Sequence, residues 1–448
     1  MPKRFAVGTS LGLFVRRFAR KAHEPTRKSR SSGRRELIET LEGRRLLSST
    51  FFVAPWGNDW AAGNAWQPFR TIQHAAQIAN WGDTVLIRGG TYHETVHPWH
   101  SGVTFEAYNG ENVTVSGADP IGNWQYGWGN VWKTWMGTDR GEGRNQLFVD
   151  GQMMEEARWP NSAYWDPAHP VKEHAPYINS GWGWATISDP NLSAGWQGAH
   201  IHISSGEGWY EQDGVVTASG PGWLTFTFQP DGSMLPKSGN AYYLYGKFQG
   251  LDSPGEWYRD YNGALYFSQP GGSNPNWHDV EVRTRDYAFD LSGVSNTTLE
   301  GINIFAATIN TNGYSQNTVI DHVHASYLSQ FTWAPIGWQV PWDSGISLNG
   351  NNSVIENSTI GFSSGDGVYV NAANCRVTGD VIHDVDYNAG DSAGVRDFGS
   401  NTGIDHNVVY NVGRDGIQLR GWGAQVIGNT VHDAMLQTND GGAIYTIR

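Results

Sequence analysis

Gly345-Ile346-Ser347-Leu348, Gly367-Val368-Tyr369-Val370, Gly394-Val395-Arg396-Asp397, Gly416-Ile417-Gln418-Leu419 and Gly442-Ala443-Ile444-Tyr445 are five versions of one short run. Their glycines are spaced by 22, 27, 22 and 26 residues. A second run stays in phase with the first: Val354-Ile355-Glu356-Asn357, Val377-Thr378-Gly379-Asp380, Ile404-Asp405-His406-Asn407 and Val426-Ile427-Gly428-Asn429. A period near 22 with occasional insertions is a coil repeat. Small, apolar and polar residues alternate within each run, which is the period of a strand and not of a helix. Coils stacked one strand spacing apart, about 4.8 Å, bring equivalent residues into columns. On this reading Asn357, Asp380, Asn407 and Asn429 form one turn column, because Asn and Asp tolerate the left-handed conformation and bond nearby backbone. The insertions, at Tyr387–Ser392 and Met435–Asp440, each precede a coil-opening glycine. Loops on one face of a solenoid usually build its binding face.

Upstream of the repeats the same short β-branched runs recur, as Val85-Leu86-Ile87, Val103-Thr104-Phe105 and Val113-Thr114-Val115. Before them, Ile72, Ala75, Ala76 and Ile78 fall at helical spacing,. A helix there would cover the open end of a coil stack, which otherwise exposes backbone donors and acceptors. The ordered series Phe51–Asp59, Pro68–Ala76 and Gly82–Tyr92 resembles the opening strand, capping helix and first coil of pectin lyase-like proteins. That resemblance implies an all-β, right-handed parallel β-helix.

Residues 146–285 break the repeat and are rich in tryptophan, with strands such as Trp223–Phe228 and Tyr242–Tyr245. They are expected to form an inserted β-sandwich-like module. Gln146–Gly151 with Ala157–Asn161, and Leu251–Tyr258 with Gly263–Phe267, resemble pieces of β-helix glycoside hydrolases that carry such a sandwich, including β-xylosidase-like and α-fucosidase-like families. The expected organisation is therefore 1–50 a basic targeting or disordered segment, 51–145 cap and first coils, 146–285 the insert, and 286–448 further coils. The final run stops in mid-coil, and the expectation is that missing coils complete the solenoid and part of its site.

The chain of 448 residues carries a net charge of -13, but residues 1–50 contribute +9 and the remainder -22. A body so acidic is a poor partner for nucleic acid. The single cysteine, Cys375, excludes an internal disulfide and a cysteine-rich zinc site,. No apolar stretch is long enough to span a membrane. Leu41-Glu42-Gly43-Arg44-Arg45-Leu46-Leu47 resembles the Leu-Glu-Pro-Arg-x-Leu-Leu motif of large exported bacterial proteins, with Gly43 in place of Pro. It implies an extracellular or cell-surface protein, expected here as a monomer.

Asp343, Asp366, Asp391, Asp415 and Asp440 precede the coil-opening glycines at spacings of 23, 25, 24 and 25 residues. Asp-Gly is also a good turn pair, so each Asp has a structural reading. As a column, however, like charges repel unless they share protons or a cation. Glycoside hydrolysis needs two flanking carboxylates, and neighbouring or alternate coils supply suitable separations. The candidate catalytic residues are Asp391, Asp415 and Asp440, supported by Asp366. Candidate substrate contacts are Trp333, Trp338 and Trp342, which offer faces to sugar rings, together with His383 and Arg396. His383-Asp384, Tyr410-Asn411 and His432-Asp433 form a further column, of acid/base groups or of outward polar residues,.

The substrate class implied is polysaccharide or oligosaccharide, and the reaction hydrolysis without a metal or other cofactor. A polysaccharide lyase is the alternative. Lyases on this fold typically use Lys or Arg as base, often with calcium held by carboxylates. No lysine follows Lys247, which leaves Arg376, Arg396, Arg414 and Arg420, and the Asp column would then hold calcium,. A non-catalytic carbohydrate-binding or surface protein is the third reading.

Overall fold

In the computed structural model, residues 48–209, 211–230, 234–332 and 344–446 are described. Residues 1–47 of the basic segment, with the Leu41–Leu47 motif, and Trp333, Trp338, Trp342 and Asp343 lie outside them; Thr50, assigned to that segment, already pairs with Thr84 in the first strand.

Apolar columns set the register of the coils. In the first sheet Val85, Phe105, Leu299, Ile320, Ile355, Val377, Ile404 and Val426 stand one above another in parallel pairing. In the second sheet Val115, Ile304, Ala325, Ile360, Ile382, Val409 and Val431 do the same. A third sheet stacks Ile346, Val368, Val395, Ile417 and Ile444. Nearly all of these side chains belong to one continuous core. Each fully buried Val, Leu or Ile stabilises the stack by roughly 1.5–3 kcal/mol. The described chain is thus a nearly all-β parallel β-helix with three faces.

The helix Ile72–Ile78 closes the N-terminal end and buries Ile72, Ala75 and Ala76. Ile78, expected on that face, is exposed, and Ala79 is buried in its place. Thr71 caps the helix, and Glu94 accepts from the Ile72 and Gln73 backbone N–H groups at 3.0 and 2.9 Å.

Two columns differ from expectation by one residue. Gly345, Gly367, Gly394 and Gly416 continue into Ala443 and not Gly442. The left-handed turn column is Asn357, Gly379, His406 and Gly428. Ser358, Asp380, Asn407 and Asn429 follow it by one and form a hydrogen-bonded ladder. Asn357 therefore belongs to the first column and not to the ladder.

The insert starts earlier than residue 146. Val113–Ser116 already pairs with Asn303–Phe305 of a later coil, so the chain leaves the solenoid at about Gly117. Strands Leu147–Val149 and Val280–Arg283 of a four-stranded sheet face Glu256–Arg259 and Ala264–Ser268 of a five-stranded one. Leu147, Val149, Val280 and Val282 meet Trp257, Leu265 and Phe267 between them, which is a sandwich core. An eight-stranded sheet spanning Arg158–Tyr245 has a separate core around Ile201, Leu224 and Phe226. Ala118, Phe148 and Met153 seat the insert on Ala306, Tyr327 and Tyr387 of the coils.

Candidate functional site

On the outer face of the third sheet, Ser347, Tyr369, Arg396, Gln418 and Tyr445 stand in register. Strand alternation directs these side chains away from the core. Yet Arg396 and Gln418 are only 1% and 0% exposed. The first insertion loop covers them with Asp391.

Asp391 gathers three guanidiniums. Arg396 Nη2 donates to it at 3.1 Å, Arg414 Nη1 at 2.8 Å and Arg420 Nη2 at 3.0 Å. Arg414 also donates to Asp440 at 2.8 Å, and Tyr445 Oη donates to the other Asp440 oxygen at 3.1 Å. The Arg396 and Arg420 guanidiniums each lie 5.4 Å from the Phe398 ring centre. Charge-assisted contacts of this kind fix the orientation of the Asp391 carboxylate.

Asp415 sits beside this cluster on different terms. Its Oδ2 accepts from Gln418 Nε2 at 2.7 Å and its Oδ1 from the Gly442 N–H at 3.0 Å. The nearest guanidinium contact is Arg414 Nε at 3.8 Å. Burial outweighs these partners and pushes the carboxyl up to about 6,. Gln418 Nε2 also reaches Asp391 Oδ1 at 3.4 Å. The two oxygens sharing that nitrogen are therefore at most about 6 Å apart,.

Asp366 is fully buried, accepts from the Ala393 N–H at 2.9 Å and from Ser344 Oγ at 3.1 Å, and is likewise raised to about 6 by burial. Asp386, at the corner leading into the same loop, is also raised by burial and then by Asp366. Its Oδ2 has no partner among the described residues.

The expected stack of five aspartates is corrected in two ways. Register puts Ser344, Asp366, Ala393, Asp415 and Gly442 in one column, so only Asp366 and Asp415 share it, two coils apart. Asp391 and Asp440 lie two residues upstream, in the insertions. Arginines offset the charges of Asp391 and Asp440. Among the described residues no group of three His, Cys, Asp or Glu side chains is placed to hold a metal ion. Arg396, expected at the substrate, is a buried partner of Asp391.

His383 is not brought to this cluster. It lies on the outer face of the second sheet, its Nδ1 2.6 Å from Asp384. Its ring stacks on Tyr410 at 5.3 Å, and Tyr410 on His432 at 5.2 Å. The expected column is present, as an aromatic ladder.

Sequence reasoning missed a small cavity of about 50 Å³ where the insert meets the coils, lined by Glu155, Glu156, Arg158, Tyr243, Tyr245 and Tyr387. Burial and then Glu142 raise the Glu156 carboxyl. Asn388 also lines it, so the loop that carries Asp391 borders both places. The run Glu155-Glu156-Ala157-Arg158, charged within a charge-poor chain, was the available signal.

Residues 329–447 match the family described as "Right handed beta helix region". A stretch of 80 residues is 45% identical to the uncharacterized protein YwoF of Bacillus subtilis (strain 168), covering 17% of each chain. Another comparison gives 36% identity over 81 residues with pectate lyase PEL9 of Emericella nidulans, covering 16% of this chain and 20% of that one. The chain thus matches a fifth or less of these curated relatives' lengths. A solved structure described as "Glycoside hydrolase" superposes with a TM-score of 0.69 at 15% identity, covering 89% of this chain and 86% of that one. A complex of XylC with xylose gives 0.50 at 17% identity, covering 85% and 62%. At such identities the likeness is one of fold: a right-handed parallel β-helix.

Proposed function

We propose that this chain is a glycoside hydrolase acting on a neutral glycan, with Asp391 as nucleophile and Asp415 as general acid/base. The observation that carries the reading is the shared Gln418 amide, which sets a carboxylate paired with three arginines beside one raised to about 6 by burial. A buried carboxyl raised in this way suits a general acid, and its arginine-paired neighbour suits the second carboxylate that glycoside hydrolysis needs. Gln418 thus brings one oxygen of each carboxyl within about 6 Å of the other,, and the arrangement proposed is a retaining pair, which needs ~5–5.5 Å between carboxyls.

In the first step Asp391 attacks the anomeric carbon while Asp415 gives its proton to the departing glycosidic oxygen. In the second, Asp415 takes a proton from water, which displaces Asp391 and releases the sugar. Gln418 and the three arginines position these groups. Each of Arg396, Arg414 and Arg420 is ion-paired with Asp391, which argues for a neutral substrate over a uronate.

One observation favours a lyase as second reading: burial lowers the Arg420 guanidinium from its usual range, as a base requires,. The test is incubation with nitrophenyl glycosides and plant and algal polysaccharides, read by reducing ends and by absorbance at 235 nm. Hydrolysis releases reducing ends without the 235 nm signal, and Asp391→Gly is then rescued by azide as a glycosyl azide. A 235 nm signal would replace the proposal with the lyase. Silence in both would favour a binding or surface protein.

A further inference from the structure

Three tryptophans on the loop between the first strand and the capping helix stand in water. Trp56, Trp60 and Trp66 are 64%, 95% and 92% exposed. An indole side chain carries roughly 150–250 Å² of surface, and soluble proteins rarely leave several such groups together uncovered. All three line one open depression of about 730 Å³, with Asn58 and Gln67 between them. Among the described residues, none of these rings pairs with another aromatic ring and none of their indole N–H groups has a partner.

The loop that carries them is nevertheless held firmly. Asn58 Oδ1 accepts from the Trp60 N–H at 3.0 Å, and Asn64 Oδ1 from the Trp66 and Gln67 N–H groups at 3.0 Å each. Asp59 accepts from the Arg70 and Thr71 N–H groups at 2.8 and 2.9 Å and from Thr71 Oγ1 at 2.9 Å. The backbone passes so close to Phe69 that a Cβ has no room at Gly57 or Gly63. Aromatic groups presented on a fixed backbone lose little entropy on binding.

The chemistry of the surface selects its ligand. Between Pro55 and Pro68 the one charged side chain is Asp59, whose carboxylate is occupied by the cap of the helix. What remains is indole faces interleaved with the amides of Asn58, Asn64 and Gln67. Sugar rings offer apolar C–H faces to indoles and hydroxyls to amides. No lysine or arginine lies between these prolines to draw a polyanion.

We propose that Trp56, Trp60 and Trp66 form a docking platform for a neutral polysaccharide at the N-terminal end of the β-helix. Counting strands of the first sheet, it lies six coil spacings, roughly 30 Å, from the Asp391 coil,. It is independent of the hydrolase reading.

The test is affinity electrophoresis of the full chain in native gels containing arabinoxylan, mixed-linkage β-glucan or galactomannan, with polygalacturonate as the anionic control. At least one neutral polymer is expected to retard the protein. The W60A/W66A double variant should bind about tenfold or more weakly, with unchanged circular dichroism because both side chains are exposed. W422A, which removes an exposed indole outside this depression, should be retarded like the parent, which separates this platform from exposed tryptophans in general. No retardation by any neutral polymer, equal retardation of the double variant, or retardation by polygalacturonate alone would overturn the proposal. So would sedimentation showing a dimer that the double variant dissolves, since a second copy would then be the occupant.

Discussion

Arg414 donates to Asp391 at 2.8 Å across 23 residues of chain, joining one insertion loop to the coil above it. Asp391→Asn keeps the shape but removes the charge that three guanidiniums share. Turnover of a responsive glycoside should fall about a thousandfold or more. Urea melts should show a loss of about 3 kcal/mol, because the arginines are left buried with less compensation. Unchanged turnover would remove Asp391 from the chemistry.

Asp366 and Asp415 are both raised to about 6. Between about pH 4 and 6 the unfolded chain has released protons that the folded chain still binds, so stability falls as pH rises through this window. Asp366→Asn should therefore flatten the decline, with a gain of up to about 2–3 kcal/mol at pH 8 and little at pH 4. A general acid must be protonated, so kcat/KM should fall above about pH 6 through Asp415, and Asp415→Asn should abolish that limb along with most activity. Melts and pH–rate profiles of both variants check these signs.

Asp405 illustrates the opposite sign. Arg376 donates to it twice, at 2.9 and 2.8 Å, and lowers its carboxyl well below the usual range. That stabilisation is complete above about pH 4 and disappears on acidification. Because Arg376 is largely exposed, solvent screens the pair and Arg376→Ala should lower the urea midpoint only slightly at pH 7,. Parent and variant melts should draw progressively closer as the pH is lowered below about 4.

Asn407 is 1% exposed and completes the ladder. Its Oδ1 accepts from the Asp380 N–H at 2.9 Å, and its Nδ2 donates to the Val377 carbonyl at 3.0 Å. Asn407→Ala leaves both groups buried and unpaired, and should destabilise by about 2–4 kcal/mol in chemical denaturation.

A Cβ on Gly367 would lie 2.6 Å from an Ile382 methyl and 2.6 Å from the Gly394 carbonyl oxygen. Gly394 and Gly416 face Val409 and Val431 in the same way. Gly394→Ala should destabilise by about 1–3 kcal/mol through overpacking, read as a lowered urea midpoint.

The repeated Gly-apolar-polar-apolar runs were legible as coils because each column meets the same surroundings in every coil. The glycines are required where the third sheet presses on the second, as at Gly367 against Ile382. The helix at Ile72–Ile78 was legible for a similar reason, since its spacing matches one buried face. Register was less legible: Gly442 and Asn357 each resemble the neighbouring column, and turn insertions change spacing without changing residue type. The partnership of Asp391 with Arg396, Arg414 and Arg420 could not be read at all. Alternation assigns Arg396 and Gln418 to the outer face, where solvent is the default neighbour. Only the folded loop brings a carboxylate over them, because a charge pair is decided by where side chains meet in space and leaves no period in the chain.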